Sequence, residues 1–350
     1  MSNNASSAAG FWVGVDLAQD SLQISRAPIG LEVSLWSRLP QIALSNTAQG
    51  RDQLAGWIAA QAVALGASCR GIVVEATGGL SRRFAQALEQ LGGLPPVSIV
   101  NPFFVKSFGR SLGQRSKNDK LDAAVLAVFG AVQQPAPAAA LTPAQERLRE
   151  LDRLRQGVVQ HQTAWKNSLR EARDPLARRV GEQQIELAAK QIEELGGRIA
   201  ETIAKDDDLR RQHQLLDSVP GIGPCLAATI LAELGDLSAY HRDALVGYVG
   251  LFSREKRSGK RQGRGGGLVK GGGARVRRAL GLAAMAVVRS NQPIKEFGLR
   301  LVARGKTKMC ALTALMRKLL LIARAIVVSG KPYNPAEALR EKPKRRVAHG

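Results

Sequence analysis

Four carboxylates stand where alternating strands and helices can gather them. Asp16 ends the apolar run 11–15, and Glu75 ends the β-branched run 71–74. Asp119 and Asp122 lie three residues apart at the expected start of a helix, on one face of it. Carboxylates grouped in this way are hard oxygen donors suited to magnesium. Two such ions can activate an attacking oxygen and stabilise a leaving oxygen in phosphodiester cleavage. Each acid also has an ordinary reading: Asp16 as a turn cap, Glu75 as a surface acid, Asp119 and Asp122 as first-turn acids favoured by the helix dipole.

A fifth group is the hydroxyl of Ser258, in Arg257-Ser258-Gly259. It lies in a glycine-rich stretch, 253–278, that carries Arg254, Lys256, Arg257, Lys260, Arg261, Arg264, Lys270, Arg275, Arg277 and Arg278 against one acid, Glu255. Guanidinium and ammonium groups there can neutralise charge developing on a phosphate under attack. A solubilising serine in a charged loop has the same composition. Gly265–Gly267 and Gly271–Gly273 do not form a Walker A loop, and Gly305-Lys306-Thr307 lacks the preceding glycine loop, which argues against ATP hydrolysis.

The elements that must position these groups follow from hydrophobic patterning. Over 11–130 short apolar strands alternate with helices: strands at 11–15, 21–25, 36–46, 71–74 and 97–100, helices at 54–65 and 81–91. This predicts an α/β mixed-sheet domain. An Ala- and Pro-rich linker spans 131–142. Two helices follow over 143–212, broken at Asp174-Pro175. Their apolar positions recur at steps of three and four, a coiled-coil or helical-hairpin signal. Such a pair either folds onto its own domain or serves as an oligomerisation arm.

The region 213–330 reads as mainly helical, with segments at 274–288 and 308–328. In it, Val219-Pro220-Gly221-Ile222-Gly223-Pro224 resembles the turn of a helix-hairpin-helix unit. There Gly221 and Gly223 would let backbone N–H groups meet phosphate without reading bases. An ordinary close-packed helix connection is the alternative. The tail 331–350 is basic, proline-rich and expected to be disordered.

Composition narrows the partners. The 350 residues carry a formal net charge of +22, which points to a polyanion such as DNA or RNA. Aromatics make up 4%, so broad base-stacking platforms are not expected. Cys69, Cys225 and Cys310 are scattered and odd in number, which fits a reducing compartment rather than a disulfide framework or zinc cluster. The first ten residues lack a signal-sequence pattern. Arg317, Lys318 and Arg324 interrupt the apolar stretch 312–328, so no membrane span is expected.

Three segments together resemble the signatures of the DEDD insertion-sequence transposases, a family whose relatives include the Piv DNA invertase. They are Val13-Gly14-Val15-Asp16, Val73-Val74-Glu75-Ala76-Thr77-Gly78 and Lys117-Asn118-Asp119-Lys120-Leu121-Asp122-Ala123. Asn101-Pro102 followed by Lys106 and Arg110 fits the same arrangement. Farther on, Tyr248-Val249-Gly250-Leu251, Ser258-Gly259, the basic helix start 275–280 and Gly305-Lys306-Thr307-Lys308 resemble the family's C-terminal domain. Phe252-Ser253, Arg257 and the glycine insertions depart from its pattern.

The resemblance implies an RNase H-like (RuvC-like) catalytic domain in which Asp16, Glu75, Asp119 and Asp122 hold magnesium, in two ions, and Ser258 is a nucleophile that forms a covalent protein–DNA intermediate. It implies DNA contacts by Lys106, Arg110, Lys117, Lys306, Lys308 and the 253–278 basic residues. The implied partners are double-stranded donor and target DNA, an element-encoded structured guide RNA, and further copies of the chain as a dimer or tetramer, in a prokaryotic cytoplasm at the nucleoid. Two other classes stay open: a junction-resolving endonuclease that uses the acids and water, and a non-enzymatic nucleic-acid scaffold.

Overall fold

The computed structural model describes residues 10–113, 119–138, 141–252, 257–258, 261–262, 273–289 and 293–335. The side chains at 33, 119, 120, 257, 258, 261, 262 and 293 are outside that description. Two compact units result, Met1–Ala140 and Leu141–Gly350.

The first unit is built on strands β1 (Gly10–Leu17), β2 (Ser21–Pro28) and β3 (Gln41–Ser45), helix α1 (Ala48–Leu65), strand β4 (Ser68–Glu75), helix α2 (Leu80–Leu91), strand β5 (Val97–Val100), and helices α3 (Pro102–Ser111) and α4 (Asp119–Gln133). The sheet order is β3-β2-β1-β4-β5. The pairs β1–β2 and β2–β3 are antiparallel, while β1–β4 and β4–β5 are parallel.

Alternation along β1 buries both sheet faces. Phe11, Val13, Val15 and Leu17 join Leu54, Ile58, Phe84 and Leu88 of α1 and α2 in one core. Trp12 and Val73 join Val105 of α3 and the apolar face of α4 in the other. This mixed sheet domain, followed by a largely helical region, is consistent with an RNase H-like plus helical architecture.

The expected strand at 36–46 is shorter than its sequence suggested. Residues Val33–Arg38 form a 3₁₀ helix instead, and only 41–45 enter the sheet. Trp36 is buried by the 3₁₀ turn, where its indole N–H donates to the Leu112 carbonyl at 3.0 Å. Pro40, lacking an N–H, separates the two segments.

The second unit opens with a helical hairpin, α5 (Pro143–Glu171) and α6 (Pro175–Lys205). Thr142 and Gln145 cap α5 reciprocally, and Asp174 with Pro175 starts α6. Helices α7 (Asp207–Asp217), α8 (Pro224–Leu234) and α9 (Arg242–Val249) follow. A two-rung ribbon of β6 (Arg257–Ser258) and β7 (Arg261–Gln262) precedes α10 (Ala274–Arg289), α11 (Pro293–Ala303) and α12 (Lys308–Ser329). One apolar core joins residues of α5 through α12, with α8 buried on nearly every side. The tail from 336 onward lies outside the described residues.

Candidate metal centre and nucleic-acid interface

Strand register decides where two of the acids stand. The parallel pairing of β1 with β4 runs Gly14↔Val73 and Val15↔Val74, so one further step brings Asp16 level with Glu75. Register partners in parallel strands project to the same face. Trp12 and Val73 occupy the face covered by α4, and alternation puts Asp16 and Glu75 there as well. Both lie at the carboxyl ends of their strands, where ligands of open α/β sheets collect.

Gly14 brings the helix to them. A Cβ at this position would collide with the backbone of Ala123 and Ala127 and lie 2.8 Å from the Leu126 carbonyl carbon. Nearer the other end of α4, a Cβ on Gly130 would sit 2.8 Å from Val73 and 2.9 Å from Trp12. The helix therefore runs antiparallel to β1, with Gly130 over Trp12 and residues 123–127 over Gly14. Its first turn, with Asp119 and Asp122, points toward the Asp16 end. Asp122 lies four residues before Leu126, on the stripe of α4 that faces the sheet, while Asp119 opens the same turn.

Asp16, Glu75 and Asp122 are half-buried. Among the described residues no set of three or more His, Cys, Asp or Glu side chains is gathered tightly enough to hold a metal ion as it stands. The donor chemistry nonetheless suits a hard divalent cation: carboxylates only, from two adjacent strand ends and one helix start.

In the second unit the basic stretch is closed at its base. Gly250 adopts φ +74°, which ends α9 and turns the chain out. Where the chain returns, the Gly273 N–H donates to the Tyr248 carbonyl at 3.0 Å, and Arg277 Nη1 donates to the Val249 carbonyl at 2.7 Å. Tyr248-Val249-Gly250-Leu251 thus forms one side of a neck, and Arg277 faces inward to hold it. Beyond the neck, Ser258 is paired with Arg261 in the short ribbon. Lys117, Arg254, Lys256, Lys260, Arg264 and Lys270 lie outside the described residues. Lys106 and Arg110 are exposed on α3, and Lys306 and Lys308 are exposed at the start of α12.

Val219 to Gly223 connects α7 to α8 in a tight turn, with Gly221 at φ +93°. A Cβ on Gly221 would strike Val287 of α10, so this glycine serves both the turn and the packing.

An ion cluster that patterning did not reveal lies behind α10. Glu233, 8% exposed, accepts from Arg153 Nε at 2.8 Å and from Arg153 Nη2 at 3.0 Å. Arg149 and Arg275 approach the same carboxylate at 3.5 and 3.6 Å. Burial alone would push the Glu233 carboxyl up, but the Arg153 hydrogen bonds and the charges of Arg153, Arg149 and Arg275 outweigh it and hold the group below its ordinary range. Beside it, Asp152 Oδ2 accepts from Gln156 at 2.6 Å and Oδ1 from Thr229 at 3.0 Å. Burial pushes the Asp152 carboxyl up despite those bonds. The available signal was spacing: Arg149 and Arg153 are four apart on one helix, and Glu233 is the one charged residue of its helix.

Comparison with known proteins bears on the same segments. Residues 13–174 match a DEDD transposase family of IS110 type, and residues 213–298 match the Transposase IS116/IS110/IS902 family. The chain belongs to this transposase family. At family level it is a transposase/recombinase acting on DNA. Two relatives are pilin gene-inverting proteins, from Moraxella bovis and Moraxella lacunata. Each is 27% identical over 325 residues, covering 92% of this chain and 97% of the relative. An insertion element IS110 uncharacterized 43.6 kDa protein of Streptomyces coelicolor is 32% identical over 120 residues, 34% of this chain and 29% of that protein. These relatives are bacterial. No helix among the described residues is long and apolar enough to cross a membrane.

Proposed function

We propose that this transposase exchanges DNA strands through a serine ester assisted by a carboxylate-held metal site. The observation that carries the reading is the convergence of Asp16, Glu75 and the first turn of α4 on one end of one sheet face. Asp16, Glu75, Asp119 and Asp122 would hold magnesium, which when bound supplies charge neutralisation at the scissile phosphate. Ser258 Oγ attacks phosphorus and loses its proton, and one ester oxygen of the DNA leaves as a hydroxyl. The serine–phosphate ester retains the bond energy. A hydroxyl of a second DNA end then attacks that ester, its proton is lost, and Ser258 recovers its own. No nucleotide triphosphate is consumed.

The closed neck at Tyr248 and Gly273 supports this reading by giving the Ser258 loop a fixed base. Exposed Lys106, Arg110, Lys306 and Lys308, with the basic stretch itself, would hold the DNA backbone. The +22 charge also accommodates a structured guide RNA beside two duplexes. Exchange between two sites requires more than one copy, and the hairpin exposes Leu154, Trp165, Leu176 and Leu187 as apolar surface for assembly.

The test is to trap protein on labelled DNA with magnesium and guide RNA, comparing the unmodified chain with Ser258→Ala. A covalent adduct lost in the variant is expected. Cleaved DNA with free ends, equal in both proteins, would instead identify a water-using nuclease. Salt-sensitive binding with no strand change would identify a scaffold.

A further inference from the structure

In the helical unit α5, α8 and α10 line an open cavity of about 510 Å³ whose two sides differ in chemistry. Arg155 of α5 and Arg275 and Arg278 of α10 line it, with Arg275 and Arg278 exposed. The apolar wall includes Leu282, 61% exposed, with Ala279, Ala283 and Ala286 beside it. Gln156 and Gln160 also line the cavity. The Gln156 amide nitrogen is taken by Asp152 and Thr229, which leaves its carbonyl oxygen as the acceptor for a ligand.

A matching ligand is anionic on one side, flat and apolar on another, and carries hydrogen-bonding groups along an edge. A nucleotide within a polynucleotide has these three properties. Its phosphate suits guanidinium groups, its base suits an apolar wall and arginine planes, and its edge suits amides. In a paired duplex the base faces are stacked and the edges occupied, so only an unpaired nucleotide can enter. A neighbouring cavity of about 330 Å³ shares Arg155, Pro224 and Cys225, and Asp152, Arg210 and His213 also line it.

We infer that this cavity takes one unpaired nucleotide of the bound polynucleotide. Its base would lie against Leu282 and its phosphate on Arg155, Arg275 and Arg278. The inference rests on the nucleic-acid-binding part of the proposed function and needs no strand chemistry.

The experiment uses the full chain without magnesium. Fluorescence anisotropy compares a labelled duplex carrying one bulged nucleotide with the fully paired duplex of otherwise identical sequence, in DNA and RNA forms. The bulged form is expected to bind roughly tenfold tighter, the scale of one base contact. The DNA and RNA arms identify which strand is the source. Ala286→Trp, which fills the cavity from an exposed position, and Arg155→Gln should each collapse the bulged-to-paired ratio toward one. Arg155→Lys should restore part of it. Melting curves confirm that each variant is folded. Equal binding of bulged and paired forms by the unmodified chain overturns the inference and leaves nucleic-acid binding intact. No binding to either form overturns both. A bulge preference that survives a folded Ala286→Trp variant places the nucleotide elsewhere and overturns the assignment.

Discussion

The two units place charge by opposite means. In the sheet unit, like charges are brought together by backbone: adjacent strand ends share a register, and Gly14 lets the start of α4 come alongside. In the helical unit, opposite charges are brought together by side chains: Glu233 gathers Arg149, Arg153 and Arg275 from two helices. Carboxylates brought near one another repel unless a cation or a donor stands between them. A buried carboxylate among arginines is held by its partners and loses most when one is removed. The first arrangement is the one proposed above as a metal-assisted centre; the second is a brace.

The largest expected effect tests the first half of that contrast. Glu75→Gln keeps the shape of the strand end and removes one charge. Strand joining with magnesium should fall by about a thousandfold, the scale for losing one group of a preorganised electrostatic site. A cooperative melting curve confirms that the variant is folded. Near-normal joining by a folded Glu75→Gln protein would remove the acids from the chemistry and leave the sheet unit without its distinguishing feature.

Glu233→Ala tests the other half. Removing one partner of a buried ion pair costs about 3–5 kcal/mol, and here it leaves arginines facing one another. Hydrogen exchange resolved by peptide should show faster exchange in α5, α8 and α10 and unchanged protection in β1 and β4. A loss spread evenly over both units would show that the brace is not local to the helices.

Legibility followed the same division. Strand β5 and the α5–α6 break at Asp174-Pro175 were readable because turn chemistry and periodicity are local. Asp16 and Glu75 were readable as candidates because each ends an apolar run. That they share a register was not, since pairing joins segments about sixty residues apart and many pairings satisfy the same pattern. The residues around Trp36 carried strand-forming side chains, yet tertiary burial of the indole on Leu112 drew them into a 3₁₀ turn. Helices α9 and α11 were not read from the sequence; eight and eleven residues give periodicity little to repeat. Glu233 was passed over because its arginines on α5 lie about eighty residues earlier.

A smaller effect sharpens the role of Gly14. Gly14→Ala puts a methyl group into the backbone of α4, which must move away from β1. Overpacking of this kind costs about 1–3 kcal/mol. Magnesium-dependent protection from thermal unfolding should weaken along with stability, because the first turn of α4 moves with the helix. If stability falls while magnesium protection is unchanged, the acids of α4 do not depend on this close approach.

The smallest effect concerns Asp152, where the helical unit keeps an acid that its fold resists ionising. Its folded pKa is raised above the ordinary value of 3.8 by burial. The protonated form is therefore favoured by folding, and this contribution is full below the unfolded pKa and lost as pH rises through the folded one. Glu233 has the reverse sign: its folded pKa lies below 4.5, so its contribution is full above that value and lost as pH falls through the folded pKa. Asp152→Asn removes the first dependence and leaves the second. The asparagine can keep the Thr229 bond through its carbonyl, and a flip of the Gln156 amide can meet its new N–H₂. Near neutral pH the variant should match or exceed the unmodified protein by no more than about 1 kcal/mol. On titration toward pH 4 that advantage should vanish and then reverse, as the unmodified protein alone takes up a stabilising proton. Denaturant midpoints at several pH values measure this directly. A constant offset across the whole range would show that Asp152 acts through packing and hydrogen bonding, and that the helical unit carries no buried charge it resists.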